Sequence, residues 1–326
     1  LLGELNASHT GSGHRPQSKP EDDATASLGA FYDEAHTGAG VKIAEIMDKS
    51  PLAKASSQIK PGVVIEKIDG AEITPEQDFA ALLNRKAGKD VALALWNPET
   101  KKRWEEIVKP ISLGQERELL YERWVETRRK EVERLSGGRL GYVHVEGMNS
   151  PSYRTFYADA LGRNNAKEGL VVDTRFNGGG WLHEELAIFL SGKRYFTFKP
   201  RGQDIGSEQR DRWLRKSIVV VGESNYSDAH MFPETYRALG LGTIVGMPIP
   251  GTGTAVWWET LQDNSLYFGI PQVGITGVDG KYLENKQLEP DVLVLNDPES
   301  SAKGRDLQLE KAVEVLLQQI DAEKKR

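Results

Sequence analysis

Cysteine is absent from all 326 residues, which excludes disulfides, thiolate nucleophiles and cysteine-ligated zinc together. Long apolar runs are lacking too, since none approaches the roughly 20 residues that a membrane-spanning helix needs. Charge of one sign is also missing. With 42 basic and 48 acidic side chains, the net charge of −6 offers no surface suited to nucleic acid. The glycine triplet Gly178-Gly179-Gly180 has no Gly-Lys-Ser/Thr after it, so a phosphate loop is not indicated. Leu1-Leu2-Gly3-Glu4-Leu5 carries neither the basic flank nor the apolar stretch of a signal peptide. The compartment, periplasmic or cytoplasmic, therefore stays open. These five residues read as the end of a helix already under way, which points to a longer protein.

The length exceeds that of most single domains, and two cores are expected. Residues 1–26 form a helical end followed, from residue 10, by a polar run rich in Gly, Pro and Ser that reads as a linker. Residues 27–111 are β-rich, with strands expected over 41–47, 63–68, 91–96 and 104–108 and a helix over 75–86. Ser27-Leu28-Gly29-Ala30-Phe31, Ser50-Pro51-Leu52-Ala53-Lys54-Ala55, Ile59-Lys60-Pro61-Gly62 and Ile68-Asp69-Gly70 follow one another as in a PDZ domain, which this module resembles. The resemblance implies that Leu28, Gly29, Ala30 and Phe31 form a loop that receives a peptide's terminal carboxylate while the peptide adds to a sheet edge. A degenerate module with a blocked groove is the alternative.

Residues 112–326 open with a helix over 115–135, whose Leu120, Trp124, Val125, Val132 and Leu135 share a face. Strands over 140–145, 170–174, 218–221 and 243–245 then alternate with helices near 153–161, 182–190 and 229–239, the pattern of an α/β core. Shorter β-type pieces, over 255–260, 267–275 and 292–295, precede a last helix over 306–320.

Two turns in this core carry chemistry. Asn225-Tyr226-Ser227-Asp228 joins the apolar run Ile218-Val219-Val220-Val221 to a helix, a setting that presents a serine hydroxyl beside outward N–H groups. Read alone, a Ser-Asp pair at a helix start is more often only a helix cap. Phe176-Asn177-Gly178-Gly179-Gly180 joins another strand to a helix, and its glycines let backbone N–H groups approach a ligand or simply make a turn. A serine nucleophile also needs a base, and six histidines are available. His14 and His36 lie in polar, turn-like surroundings, His144 in a strand, and His183 and His230 in helices. His9 closes the first helical piece, in Ala7-Ser8-His9, where a histidine is also at home as a helix end.

Taken in order, Ala7-Ser8-His9, the PDZ-like module, Asp173-Thr174-Arg175-Phe176-Asn177-Gly178-Gly179-Gly180, Ser227-Asp228 and Leu283-Glu284-Asn285 resemble the tricorn family of serine peptidases and, more distantly, the C-terminal processing proteases. The likeness covers essentially the whole chain. It implies an α/β catalytic core of crotonase/ClpP-like βα units with the PDZ domain inserted. It further implies Ser227 as nucleophile, His9 as general base, Ser8 bonded to His9, Glu284 orienting Ser8, and the Gly180 and Asp228 amides as an oxyanion hole. Peptides or unfolded proteins would be the substrates, copies could assemble as a homo-oligomer, and β-propellers would precede the chain. No assigned role requires a metal or cofactor. Two departures stand out: Tyr226 replaces a small residue before the nucleophile, and Ala229 follows Asp228 where glycine is usual. Residues 195–201 carry no carboxylate where the family holds one for basic side chains, so apolar or neutral P1 residues are expected. Competing readings are a PDZ scaffold that no longer cuts and a crotonase-like acyl-CoA enzyme.

Overall fold

The computed structural model describes residues 2–16, 19, 22–203 and 205–325. Two compact units emerge, one of residues 1–17 with 128–326 and the other of residues 18–127.

The smaller unit is built on antiparallel strands in the order Ala30–Tyr32, Val41–Ile46, Val64–Ile68, Val91–Trp96 and Arg103–Val108, so Ala30–Tyr32 is an edge. Alternation of inward residues drives this sheet: Val91, Leu93 and Leu95 are fully buried, and Ile43, Ile65 and Ile68 meet them. The helix expected over 75–86 is corrected to one 3-10 turn, Phe79–Leu83, which Asp78 caps. Thr25 and Asn84 form a β-bridge where the helix would have continued, and the Arg85 amide donates to Ala24. Helix Leu113–Leu135 begins within this unit.

The larger unit holds a parallel five-stranded sheet in the order Leu140–His144, Gly169–Asp173, Lys216–Val221, Gly242–Gly246 and Val292–Leu293. Spatial order follows chain order, so right-handed crossovers put helices Ser150–Leu161, His183–Leu190 and Asp228–Ala238 on one face. Phe156, Phe189 and Phe232 there pack on Val143, Val172, Val219 and Ile244. Helix Leu307–Lys324 covers the other face closely; a Cβ added at Gly169 would lie 2.9 Å from Ile320. With both faces covered, the central strands read as continuous apolar runs, and each buried Val, Leu or Ile contributes roughly 1.5–3 kcal/mol. The turns at the strands' carboxyl ends therefore rest on a rigid base, and this is where ligands bind in open α/β sheets.

Three sequence expectations are revised here. Leu2–Leu5 is a 3-10 turn where an α-helical piece was expected. Part of the supposed linker, Gly11–His14, is a strand paired with Leu266–Gly269, which also moves His14 out of a turn. Gly11 and Gly13 allow that pairing, since a Cβ at Gly13 would sit 2.5 Å from the Tyr267 hydroxyl. Gln17, Ser18, Pro20 and Glu21 of the same run lie outside the described residues. Finally, a hairpin of Phe196–Thr197 with Ser207–Glu208 occupies a stretch in which no strand was expected.

Candidate active site

Strand Lys216–Val221 ends in a turn that Asn225 builds from inside. Its buried side chain accepts from the Gly222 amide at 3.1 Å and donates to Thr174 Oγ1 at 3.0 Å and to the Ala229 carbonyl at 3.3 Å. Ser227 follows at φ 57°, ψ −123°, a region that a non-glycine residue adopts only where its surroundings hold it. Although it occupies the N-cap position, its hydroxyl makes no cap bond. Instead Ser227 Oγ lies 2.8 Å from His9 Nε2. The Ser227 amide is engaged by Thr252 Oγ1 at 2.9 Å, so the next amide, that of Asp228, is the one left facing outward.

His9 reaches this turn from a segment 218 residues away in the chain. Its Nδ1 is 2.8 Å from Ser8 Oγ and 3.0 Å from Thr254 Oγ1. Ser8 Oγ donates to Glu284 Oε2 at 2.9 Å, and the Ser8 amide bonds the other oxygen of the same carboxylate. If Ser227 donates to Nε2, the remaining ring proton sits on Nδ1 and points at Ser8, whose own proton goes to Glu284. Such an aligned series can accept the serine proton at one end and favour the resulting imidazolium from the other. Burial pushes the His9 imidazole below its ordinary 6.5, and the Glu284 charge only partly offsets this. Its neutral, proton-accepting form is thus favoured near neutral pH. An open depression of about 500 Å³, lined in part by Ser8, Thr252 and Glu284, lies at the acid end of the series.

The glycine turn stands on a buried ion network at the end of strand Gly169–Asp173. Arg175 forks onto Asp173, at 2.6 and 3.0 Å, and onto Asp306, at 2.9 and 3.0 Å, while Tyr142 donates to Asp173 at 3.0 Å. Burial opposes charge on Asp173, yet the Arg175 guanidinium holds its carboxyl below the usual range. Pairs of this kind fix geometry more than they add stability. Beyond them the Asn177 amide donates to Val145 O at 2.8 Å, and its oxygen accepts from the Gly179 N–H at 2.9 Å. Met148 clamps the turn through its N–H to Gly179 O and its carbonyl to the Trp181 N–H, at 3.0 and 2.7 Å. Glycine is obligatory here. Gly180 has φ 142°, and a Cβ there would fall 2.1 Å from the Met148 carbonyl; one at Gly179 would fall 2.6 Å from Ser227 Cβ. Among the described residues, no hydrogen bond engages the N–H of Gly180 or of Asp228.

The Asp228 side chain ties the two turns together. Fully buried, it accepts from the Leu182 and His183 amides at 2.5 and 3.0 Å and from His183 Nδ1 at 2.5 Å. That hydrogen bond raises the His183 imidazole above its ordinary value. Sequence reasoning valued Asp228 only for its amide and His183 only as a helical residue. It also missed Thr252, Thr254 and the Tyr226 hydroxyl, which accepts from the His9 amide at 2.7 Å. The alternation Gly251-Thr252-Gly253-Thr254 was the available signal: Cβ atoms at the two glycines would lie 2.2 Å from Lys286 N and 2.3 Å from Leu283 Cβ, so the segment lies tightly against the turn that carries Glu284.

The remaining histidines stay apart from Ser227. His144 bonds the Arg175 carbonyl, and buried His230 accepts from the Thr252 amide. No group of three or more His, Asp or Glu suited to a metal occurs among the described residues. In the smaller unit, Leu28 and Ala30 are buried and Phe31 is half-buried under the Arg123 guanidinium. The Gly29 amide donates to Ser27 Oγ at 2.9 Å, and Ser27 in turn donates to Glu116.

The family description Peptidase family S41 matches residues 139–294, and that of the Tricorn protease PDZ domain matches residues 35–112. The core over residues 139–294 is that of an S41 serine peptidase. Within that family it is tricorn-like, a peptidase core accompanied by a PDZ domain. Tricorn protease homolog 1 of Streptomyces coelicolor is 32% identical over 82% of this chain and 25% of its own length. The Tricorn protease homolog of Saccharolobus solfataricus is 28% identical over 98% of this chain and 30% of its own. The crystal structure of the tricorn protease superposes with a TM-score of 0.86 at 24% identity, covering 98% of this chain and 31% of that one. This chain thus spans about a quarter to a third of the length of these relatives.

Proposed function

We propose that the chain is the catalytic part of a peptidase that cuts peptides or unfolded proteins through a Ser227–His9–Ser8–Glu284 tetrad. The observation that carries this reading is the 2.8 Å approach of His9 Nε2 to a serine hydroxyl that declines its cap bond. In the reaction, Ser227 Oγ attacks the scissile carbonyl as His9 takes its proton, and the oxyanion accepts from the Gly180 and Asp228 amides. His9 then protonates the departing amine, leaving an acyl-enzyme. Water, deprotonated by the same imidazole, releases the second product. The monotonic strand order supports classing the core with crotonase/ClpP-like βα units.

The PDZ domain captures substrate C-termini at the edge strand Ala30–Tyr32, with residues 28–31 as the carboxylate loop. Self-association and upstream β-propellers belong to the same proposal. An apolar or neutral P1 side chain is expected: residues 195–201 hold Lys199 and Arg201 but no acid, and Phe176 and Trp181 lie exposed beside the glycine turn. Asp204, nearby in sequence, lies outside the described residues. Fluorogenic peptides ending in Phe, Leu or Arg test this, and a strong preference for Arg overturns it. The central experiment is hydrolysis of casein and fluorophosphonate labelling by the wild type and Ser227→Ala. Loss of both in the variant is expected. Equal rates with no labelling of the wild type would leave a peptide-binding scaffold.

A further inference from the structure

His9 carries the reaction's proton in the reading above, and its segment is tied at Ser8 to Glu284 and at strand Gly11–His14 to Leu266–Gly269, contacts that do not reach the nucleophile's own turn. Residues Leu2–Leu5 bury no side chain, and the backbone at His9 has φ 60°, the left-handed region. A base so placed needs an anchor on the part of the molecule that carries the nucleophile. The residue that meets this need is Tyr226, next to Ser227. Its hydroxyl accepts the His9 N–H at 2.7 Å, and its ring lies 4.7 Å, centroid to centroid, from the imidazole. Its own backbone N–H donates to the Asn177 carbonyl at 3.1 Å, so the residue is tied to the glycine turn. One residue therefore touches the base through its side chain, adjoins the nucleophile and is fixed through its backbone to the oxyanion loop. The bulk at this position is turned against the base.

We infer that Tyr226 is a positioning residue that sets the reach of His9 to Ser227, the hydroxyl gripping the His9 backbone and the ring limiting the tilt of the imidazole. This rests on His9 being the general base. Tyr226→Phe deletes only the hydroxyl and Tyr226→Leu the ring face as well. Both are compared with wild type and His9→Ala as full chains on one short peptide.

Losing one net hydrogen bond predicts a fall in kcat of about threefold to tenfold for Tyr226→Phe, with KM little changed, and a larger fall for Tyr226→Leu. Phosphonylation of Ser227 by a fluorophosphonate, with loss of fluoride, should slow in parallel. The His9 amide should exchange with solvent faster in Tyr226→Phe, and the acid limb of kcat/KM should move up toward pH 6.5 as the imidazole loosens into water. Wild-type kcat, amide exchange and pH midpoint in Tyr226→Phe would overturn the inference. So would a lowered unfolding temperature with an unmoved pH profile, because that is the mark of packing alone. Retention of wild-type rates by His9→Ala would instead overturn the reading of His9 as base, which keeps the two failures distinct.

Discussion

Two glycine-bearing turns to which the proposal assigns an anion treat their own N–H groups in opposite ways. In residues 176–180 the internal bonds run through Asn177, Gly179 and Trp181, and the Gly180 amide is left without an acceptor. In residues 27–31 the Gly29 amide is already given to Ser27, and Ser27 to the carboxylate of Glu116. On the proposed mechanism, the first turn is organised in advance for a charge that appears only during reaction. In the second, the Gly29 donor is engaged within its own module. Preorganisation of an oxyanion site lies in rigid, unspent donors, so the sharpest way to break the contrast is to disturb the first turn. Gly180→Ala forces a Cβ to within 2.1 Å of the Met148 carbonyl at a φ of 142°. The Gly180 amide must then turn away, and kcat is expected to fall about 10²- to 10³-fold. Steady-state kinetics on a short peptide check this, and a kcat within a factor of three of wild type would mean that the amide contributes no transition-state bond.

A smaller effect is expected one step behind the reacting atoms. Glu284 meets His9 only through Ser8, so Glu284→Gln should lower kcat by about 10- to 100-fold, less than the roughly 10⁴ found where a carboxylate bonds the imidazole directly. The sign of its pH effect is fixed as well. Burial lowers the His9 pKa and the Glu284 charge raises it, so the variant loses the raising influence. The acid limb of kcat/KM, already below pH 6.5, should move further down, opposite to the direction expected for Tyr226→Phe. A pH–rate profile of each variant separates the two, and an upward shift in Glu284→Gln would show that this carboxylate does not govern the imidazole.

Both turns of the core could be read from sequence because each depends on local chemistry: an apolar run, a break, then a helix, with glycines where a side chain would collide. His9 could not be found that way. Its segment has no periodicity, and only the ordered likeness to a family singled it out before its ring was seen beside Ser227. The Tyr226 hydroxyl was illegible, and Thr252 and Thr254 showed only as a Gly-Thr alternation, because their roles arise from proximity across the chain. The strand Gly11–His14 was missed for the same reason, since its partner, Leu266–Gly269, lies some 250 residues on and its glycines look like linker until Tyr267 and Trp258 are laid against them. The helix expected over 75–86 failed on competition: Asn84 bridges to Thr25, and a helix there cannot also form that bridge.

The least effect, and the most direct probe of the second turn, concerns Glu116. Its carboxylate sits on Ser27, and burial followed by the charge of Glu116 pushes the Tyr32 phenol up, which places that charge near the edge strand Ala30–Tyr32 as well. A peptide that brings its own carboxylate to residues 27–31 must meet this charge or displace it. Glu116→Gln removes the repulsion and keeps a partner for Ser27. Measured on the full chain carrying Ser227→Ala to prevent cutting, its affinity for a peptide with a free C-terminus should rise about threefold to tenfold, while that for the same peptide amidated should not change. Equal affinities for the two peptides in both chains would remove carboxylate recognition from this loop. The contrast between the turns would then be one between a site and a fold element, and capture of substrate would have to be sought along the strand edge alone.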